Sequence, residues 1–197
     1  SIRQLTWELG EHNSSVIHLT LVPYLAAAGE LKTKPTQHSV RTLMENGIHA
    51  NVLVTRTERH LPKDVKAKLA LFCNVRKENV IESMDADTIY EVPFLLHEQN
   101  FDEVVLKGLD LPTDQEPDFT VWNKFLSNHK NPKNEIEIAL VGKYVSLHDS
   151  YKSITEAFTH AAATCETNVK VRWVYSGDIT EYNLSLIHIS EPTRQAE

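Results

Sequence analysis

The sequence has little positive charge and no long apolar run, and each shortage excludes a class of protein. Its 197 residues carry 20 Lys and Arg against 27 Asp and Glu, which gives a formal charge of −7. This acidity argues against a protein that binds nucleic acid through a basic surface. Apolar stretches stay shorter than the roughly 18 residues of a transmembrane helix, so we expect no membrane partner.

Cysteine is also scarce, with only Cys73 and Cys165 in the chain. Two cysteines are too few for a disulfide framework, so we expect a reducing, cytoplasmic setting and two small buried hydrophobic residues. The ten histidines lack the HxH or HExxH spacing of zinc ligands, which predicts no metal site. The remaining composition, 41% hydrophobic, suffices for a buried core, and the length allows one domain or parts of two.

Strands and helices are predicted to alternate along the chain. Buried strands are expected at 15–22, 50–55, 80–81, 136–141 and 169–175. Helices are expected at 2–11, 40–46, 62–72, 90–109 (divided near Pro93) and 150–164. On the helix 62–72, Val65, Leu69 and Phe72 define the expected buried face, and Gly47 should adopt a left-handed conformation after a helix. This alternation predicts an α/β fold with parallel sheets.

A polar, acidic stretch with two prolines, residues 111–118, interrupts the pattern and is typical of a linker. We therefore predict a first domain at 1–110, an interdomain linker with a short helix at 111–134, and the start of a second domain at 135–183. Because the chain begins within an amphipathic pattern and without Met, we expect it to be an internal fragment.

One polar run between a strand and a helix has the composition of a phosphate-binding loop. It offers two ammonium groups, two hydroxyls and an amide around a proline that fixes the backbone: Lys32, Thr33, Lys34, Pro35, Thr36 and Gln37. Such a junction also presents free backbone N–H groups and the positive end of a helix dipole. Composition alone leaves open a solvated loop. Lys68, on a helix with Lys63 and Lys66, is equally compatible with a solvated surface.

Longer runs around this loop resemble the CTP synthase family. They are 18–40, 68–75, 87–93, 138–145 and 151–154, and the resemblance extends over nearly all of residues 1–183. It implies the C-terminal part of a P-loop-like (Rossmann-type) amidoligase domain, followed by the first βαβ unit of a class I glutaminase (flavodoxin-like) domain. The implied activity is that of a glutamine-hydrolysing ligase of pyrimidine biosynthesis.

The resemblance also implies ligands and partners. Members of this family make CTP from UTP, ATP and L-glutamine with Mg²⁺, respond to GTP as an allosteric effector, and form homotetramers through the amidoligase domain. UTP and its product CTP would be bound by Lys32, Thr33, Lys34, Pro35, Thr36, Gln37 and Lys68. ATP would contact Met84, Asp85 and Ala86.

The resemblance assigns no catalytic and no metal-ligating residue to this chain. The Mg²⁺ carboxylates would lie before Ser1 and the glutaminase Cys, His and Glu after Asn183, so Cys165 is not that nucleophile. The chain also lacks the GxxxxGK[ST] phosphate loop. We therefore expect the 197-residue chain to be inactive by itself. Lys143 and Lys152 are either solvated or directed at a nucleotide effector.

Two alternatives remain open at this stage. The chain could belong to a non-catalytic nucleotide-binding or assembly module of the same fold, or to a plain α/β interaction domain. Residues 184–197 depart from the family, and their run LSLIHISEPTR resembles the translation of a sequencing adapter. We expect this segment to be an artefact with no part in the function.

Overall fold

The computed structural model describes residues 1–10 and 12–179, in two compact units: Ser1–Pro117, and a second unit that begins at Asp118. The predicted adapter segment 184–197 lies outside the described residues, as do residues 180–183. Within the described ranges, no helix is both long enough and apolar enough to cross a bilayer.

The first unit alternates helices and strands. Its elements are α1 (Ile2–Leu9), β1 (Ile17–Leu21), β2 (Tyr24–Leu25), β3 (Glu30–Leu31), α2 (Lys34–Glu45), β4 (Val52–Thr57), α3 (Lys63–Cys73), β5 (Val80–Met84), α4 (Val92–His97) and α5 (Phe101–Gly108). Short 3-10 turns precede β5 and α4, at Lys77–Asn79 and Ile89–Glu91.

Strands β1, β4 and β5 form a parallel sheet with β4 in the centre. In the register of the sheet, Leu19 of β1 is paired with Val54 of β4, and Val54 is paired with Ile81 of β5. Most of β4 is buried, with Arg56 as its exposed residue, as expected of a strand covered on both faces. The sheet confirms the predicted α/β class with parallel strands.

Helices cover the two faces of this sheet and form two apolar clusters. One cluster combines β4 and β5 with α2 and α3: Val22, Val40, Leu53, Leu61, Leu69, Ala70, Cys73 and Val80. The other joins Val52, Val54 and Ile81 to α4 and α5, through Leu96, Phe101, Val104 and Val105. The core therefore lies on both sides of the central strand.

The buried face of α3 differs from the predicted one. Leu69 is buried as expected, but Phe72 is 59% exposed, and Ala70 and Cys73 are buried in its place. At 100° per residue, the middle of the Leu69–Ala70–Cys73 face lies about 110° from Phe72. The prediction of burial was also right for Cys73 but wrong for Cys165, which is exposed just after the last helix.

A strand directly precedes the polar run Lys32–Gln37 that was predicted as a loop, and a helix begins within the run. Glu30 and Leu31 form β3, which pairs with β2 in an antiparallel hairpin, and α2 already begins at Lys34. Pro35 suits this position, because the first turn of a helix needs no N–H from it. After α2, Gly47 has a φ of 73°, as predicted.

The second unit is one strand–helix–strand motif with an additional helix. Its elements are α6 (Thr120–Lys130), β6 (Asn134–Gly142), α7 (Lys152–Thr164) and β7 (Thr167–Tyr175). Strands β6 and β7 are parallel, with Ile138 level with Val171. Helix α6 is the short helix predicted within the linker, and it packs against α7 and β7. The domain boundaries 1–110, 111–134 and 135–183 stay predictions.

Candidate nucleotide-binding site

The predicted triphosphate segment follows the carboxyl end of a sheet strand. Strand β1 ends at Leu21, the β2–β3 hairpin follows, and α2 begins at Lys34. The Thr36 hydroxyl donates a hydrogen bond of 2.9 Å to the Leu21 carbonyl oxygen, which ties the first turn of α2 to the strand. In parallel α/β sheets, ligands bind beyond the carboxyl ends of the strands, so this is the edge at which a ligand is expected.

The predicted site residues divide into exposed and buried members. Lys34 is exposed and Lys32 and Gln37 are partly exposed, whereas Thr33 and Thr36 are buried. The Thr33 hydroxyl accepts a bond of 2.9 Å from Gln37 Nε2. The two hydroxyls thus serve internal hydrogen bonds, although the sequence interpretation counted them among the groups offered to a phosphate. The lysines remain as the charged groups of the segment that face solvent.

The start of α2 contributes backbone polarity to the same place. Its first turn, Lys34–Gln37, consists of a lysine and three uncharged residues. Pro35 has no N–H and the Gln37 N–H donates to the Thr33 carbonyl oxygen, so Lys34 and Thr36 provide the N–H groups at this helix end, where the positive end of the dipole lies. The Thr33 side chain bonds to Gln37 Nε2 instead of capping one of these N–H groups. The helix start therefore adds to the positive potential of the lysines.

Lys68 comes from a different element and lies near the same segment. The Lys32 ammonium group contacts the Glu30 carboxylate in an ion pair. This hydrogen bond and the charge of Lys32 hold the pKa of Glu30 below its usual value, and the charge of Lys68 adds to the effect. Glu30 is therefore under the influence of two of the three lysines that the family resemblance assigns to one nucleotide.

The predicted ATP segment, Met84–Asp85–Ala86, begins at the carboxyl end of β5. One Arg56 nitrogen donates to the Met84 carbonyl oxygen at 2.7 Å, and another lies 2.5 Å from Asp85 Oδ1. Strands β1 and β5 flank β4, so their ends are about 10 Å apart at the usual strand spacing. Both predicted nucleotide segments thus lie along one edge of the sheet.

Sequence reasoning missed two cationic residues beside these segments. Arg56, at the end of β4, fixes the predicted ATP segment as described above. Arg59 places its guanidinium 3.6 Å from the ring centroid of Tyr24, in the β2–β3 hairpin. Each arginine acts across more than 25 positions of sequence, and helix or strand periodicity carries no signal for such a pairing.

A buried charge cluster was also missed. Glu82 of β5 is almost fully buried, with Lys66 Nζ at 2.7 Å and His60 Nδ1 at 3.0 Å. Burial raises the pKa of the Glu82 carboxyl, but the hydrogen bonds from Lys66 and His60 outweigh it, and the pKa is lowered overall. An acidic residue inside the apolar strand pattern of 80–84 was the available signal. Lys66 is therefore part of an internal ion pair and not a solvated lysine.

The other residues considered from the sequence either contact neighbouring side chains or are unreactive. Lys152 Nζ lies 2.7 Å from Glu156, and Lys143 Nζ lies 5.8 Å from the ring centroid of Tyr144. Burial raises the pKa of the Cys73 thiol to about 11, which leaves it protonated and inert at neutral pH. Among residues 1–10 and 12–179, no three His, Cys, Asp or Glu side chains are grouped to hold a metal ion.

Fold and site together define an α/β protein that presents cationic side chains and a helix start at the carboxyl edge of a parallel sheet, as phosphate-binding proteins do. The family described as CTP synthase N-terminus matches residues 1–111, and the chain belongs to this family. The resemblance stated from the sequence is thereby confirmed.

Curated relatives extend the likeness beyond the family match. A CTP synthase of Flavobacterium psychrophilum is 65% identical over 176 residues, 89% of this chain and 33% of the relative. Those of Christiangramia forsetii and Flavobacterium johnsoniae are 58% and 61% identical, over 95% and 93% of the chain and 34% of each relative. The chain thus spans about a third of the length of the relatives it matches.

Proposed function

We propose that the parent protein of this chain is a CTP synthase, which aminates UTP to CTP with ATP and glutamine-derived ammonia. The observation that carries this proposal is the lysine segment Lys32–Gln37 at the carboxyl edge of the sheet, inside the region that matches the family. The names of the curated relatives support the same reaction.

The reaction needs a phosphoryl transfer before the amination. The uracil O4 is a poor leaving group, so ATP would first transfer its terminal phosphoryl group to that oxygen. Ammonia, released from glutamine in the glutaminase domain, would then attack C4 and expel inorganic phosphate. Positioning and charge neutralisation carry most of such a transfer, and these are the tasks that the chain's own residues can perform.

In this proposal, the described residues hold the two nucleotides. Lys32, Lys34 and Lys68 neutralise the triphosphate of UTP or CTP, and the backbone N–H groups of Lys34 and Thr36 add donors. Pro35, Thr33 and Thr36 fix the position of that turn, and the Gln37 amide lies beside it. Met84, Asp85 and Ala86 contact ATP, with Arg56 holding that segment.

Other features of the parent enzyme are proposed from the family alone. Mg²⁺ would neutralise phosphate charge on the bound nucleotides. GTP as an allosteric effector, a homotetramer through the amidoligase domain and a cytoplasmic location belong to the same proposal. So does the assignment of the second unit to a class I glutaminase (flavodoxin-like) domain.

Titration of the full-length protein with UTP tests the proposed site. Lys34→Ala should weaken UTP binding about ten- to hundredfold, because a charge-assisted hydrogen bond contributes about 1.5–3 kcal/mol. Lys63→Ala, which removes an exposed lysine at the start of α3, is the matched control and should leave the dissociation constant unchanged. Equal UTP affinity of the Lys34→Ala protein and the control would refute the proposed site.

A further inference from the structure

Glu30 is an acidic residue within a group of cationic side chains. It lies in β3, opposite Leu25, and its carboxylate forms an ion pair with Lys32 two residues further on. Residues two apart on an extended chain point to the same side, so the contact follows from the strand geometry. Tyr24 of the same hairpin is covered by Arg59, which anchors the hairpin against the loop after β4.

The charge of Glu30 persists at neutral pH. The ion pair with Lys32, with a contribution from Lys68, lowers its pKa below the ordinary value of a glutamate. Both side chains of the Glu30–Lys32 pair are about half exposed, so solvent and other anions reach them. The carboxylate therefore pairs with the Lys32 ammonium group, which a phosphate chain would also require.

We propose that Glu30 is a built-in competitor of the triphosphate: its carboxylate and the phosphate chain compete for the Lys32 ammonium group. Glu30 thereby weakens the binding of UTP and of its product CTP. This inference rests on the proposed function of the Lys32–Gln37 segment, because it concerns the regulation of that same site.

The expected effect is modest and has a definite sign. A carboxylate beside the phosphate chain repels it and must release Lys32 before the ammonium group can bind a phosphate oxygen. Exposed ion pairs contribute up to about 1 kcal/mol, so removal of the Glu30 charge should tighten binding about two- to fivefold. Weaker product binding favours the release of CTP. Faster product release is the advantage that such a residue would give the enzyme.

The test compares UTP and CTP affinities of full-length variants. Glu30→Gln keeps the side-chain size, removes the charge and should lower both dissociation constants about two- to fivefold. Glu45→Gln removes an exposed carboxylate of α2 that pairs with Arg41 at 3.1 Å, and should change neither constant. In a Lys32→Ala background, the gain from Glu30→Gln should shrink, because the competed cation is gone.

The outcomes separate this inference from the function on which it rests. Unchanged or weaker binding by Glu30→Gln overturns the competitor role, and weakening seen only with Mg²⁺ overturns it by assigning Glu30 to the metal. If Lys32→Ala weakens UTP binding while Glu30→Gln has no effect, only the inference fails. If Lys32→Ala also leaves UTP binding unchanged, the proposed site fails and the inference fails with it.

Discussion

Glu82 shows how single residues hold the first unit together beneath the proposed site. Both of its carboxylate oxygens have a cationic partner, Lys66 on one side and His60 on the other. Its backbone N–H and carbonyl are both bonded to the side chain of Gln99, at 2.8 Å and 2.7 Å. The residue therefore links β5 to α3 on one face of the sheet and to the α4–α5 region on the other.

Glu82→Gln should destabilise the folded protein by about 1–3 kcal/mol at pH 7, because Lys66 is left only 25% exposed and without its charge partner. The folded-state pKa of Glu82 is lowered, so its contribution is present above the unfolded value of about 4.3 and lost as pH falls through the folded one. Denaturant unfolding of the full-length protein at pH 7 and near pH 3 measures both effects.

Glu103→Gln is the control for this substitution. Glu103 forms an exposed pair with Lys107, four residues further along α5, at 2.6 Å, and its loss should change stability by less than about 0.5 kcal/mol. A destabilisation by Glu82→Gln that is equal at both pH values, or no larger than that of the control, would contradict the assigned role.

At this scale, the sequence predicted residue types better than it predicted pairings. Lys32 and Lys34 stood out because their charges are concentrated in six residues at a predicted strand–helix junction. The Lys66–Glu82 pair joins positions 16 apart in sequence, and the Arg56 contacts reach across 28. Local sequence patterns carry no information about such contacts, because the contacts depend on the order of the strands in the sheet.

Among the elements, α3 is the one for which periodicity predicted the helix but not the whole buried face. A spacing of three or four residues fits Leu69 with either Phe72 or Cys73, and size favoured the phenylalanine. In the structure, Ala70 and Cys73 join Leu69 in the buried cluster instead. The start of α2 was missed for a related reason: its first turn, Lys34–Gln37, is polar, so apolar spacing became visible only from Val40.

Paired substitutions on α3 test the buried face. Leu69→Ala should destabilise the protein by about 2–5 kcal/mol, because it leaves a cavity in a fully buried position. Phe72→Ala should change stability by less than about 0.5 kcal/mol, since that ring is mostly in solvent. Chemical denaturation of the full-length variants gives both values, and a larger loss for Phe72→Ala would reverse the assignment of the face.

For the whole molecule, the first unit shows an apolar surface that the described residues leave uncovered. Ile17, Leu19 and Leu21 are 44%, 65% and 54% exposed, on the face of β1 that is continuous with the buried Val52 and Val54. Exposed contiguous apolar surface on a strand favours association with other chains. Composition predicted a buried core, but which apolar residues stay outside it depends on the covering elements.

The 197-residue chain by itself should form no CTP from UTP, ATP and glutamine and release no glutamate. It should also melt over a broad range and bind a hydrophobic dye, because its β1 face is uncovered. Assays of the purified chain beside the full-length protein check both statements. Detectable CTP formation would refute the first, and a sharp, cooperative thermal transition without dye binding would refute the second.

Helix α2 begins without a side-chain N-cap, and this has a consequence for how well the protein resists proteolysis. The Thr33 hydroxyl accepts from Gln37 Nε2 and makes no cap, so a triphosphate bound at the proposed site would be the acceptor for the N–H groups of Lys34 and Thr36. A ligand at 100 times its dissociation constant stabilises the folded state by about 2.7 kcal/mol. Resistance of the full-length protein to proteolysis would then rise with the concentration of any triphosphate that binds the proposed site.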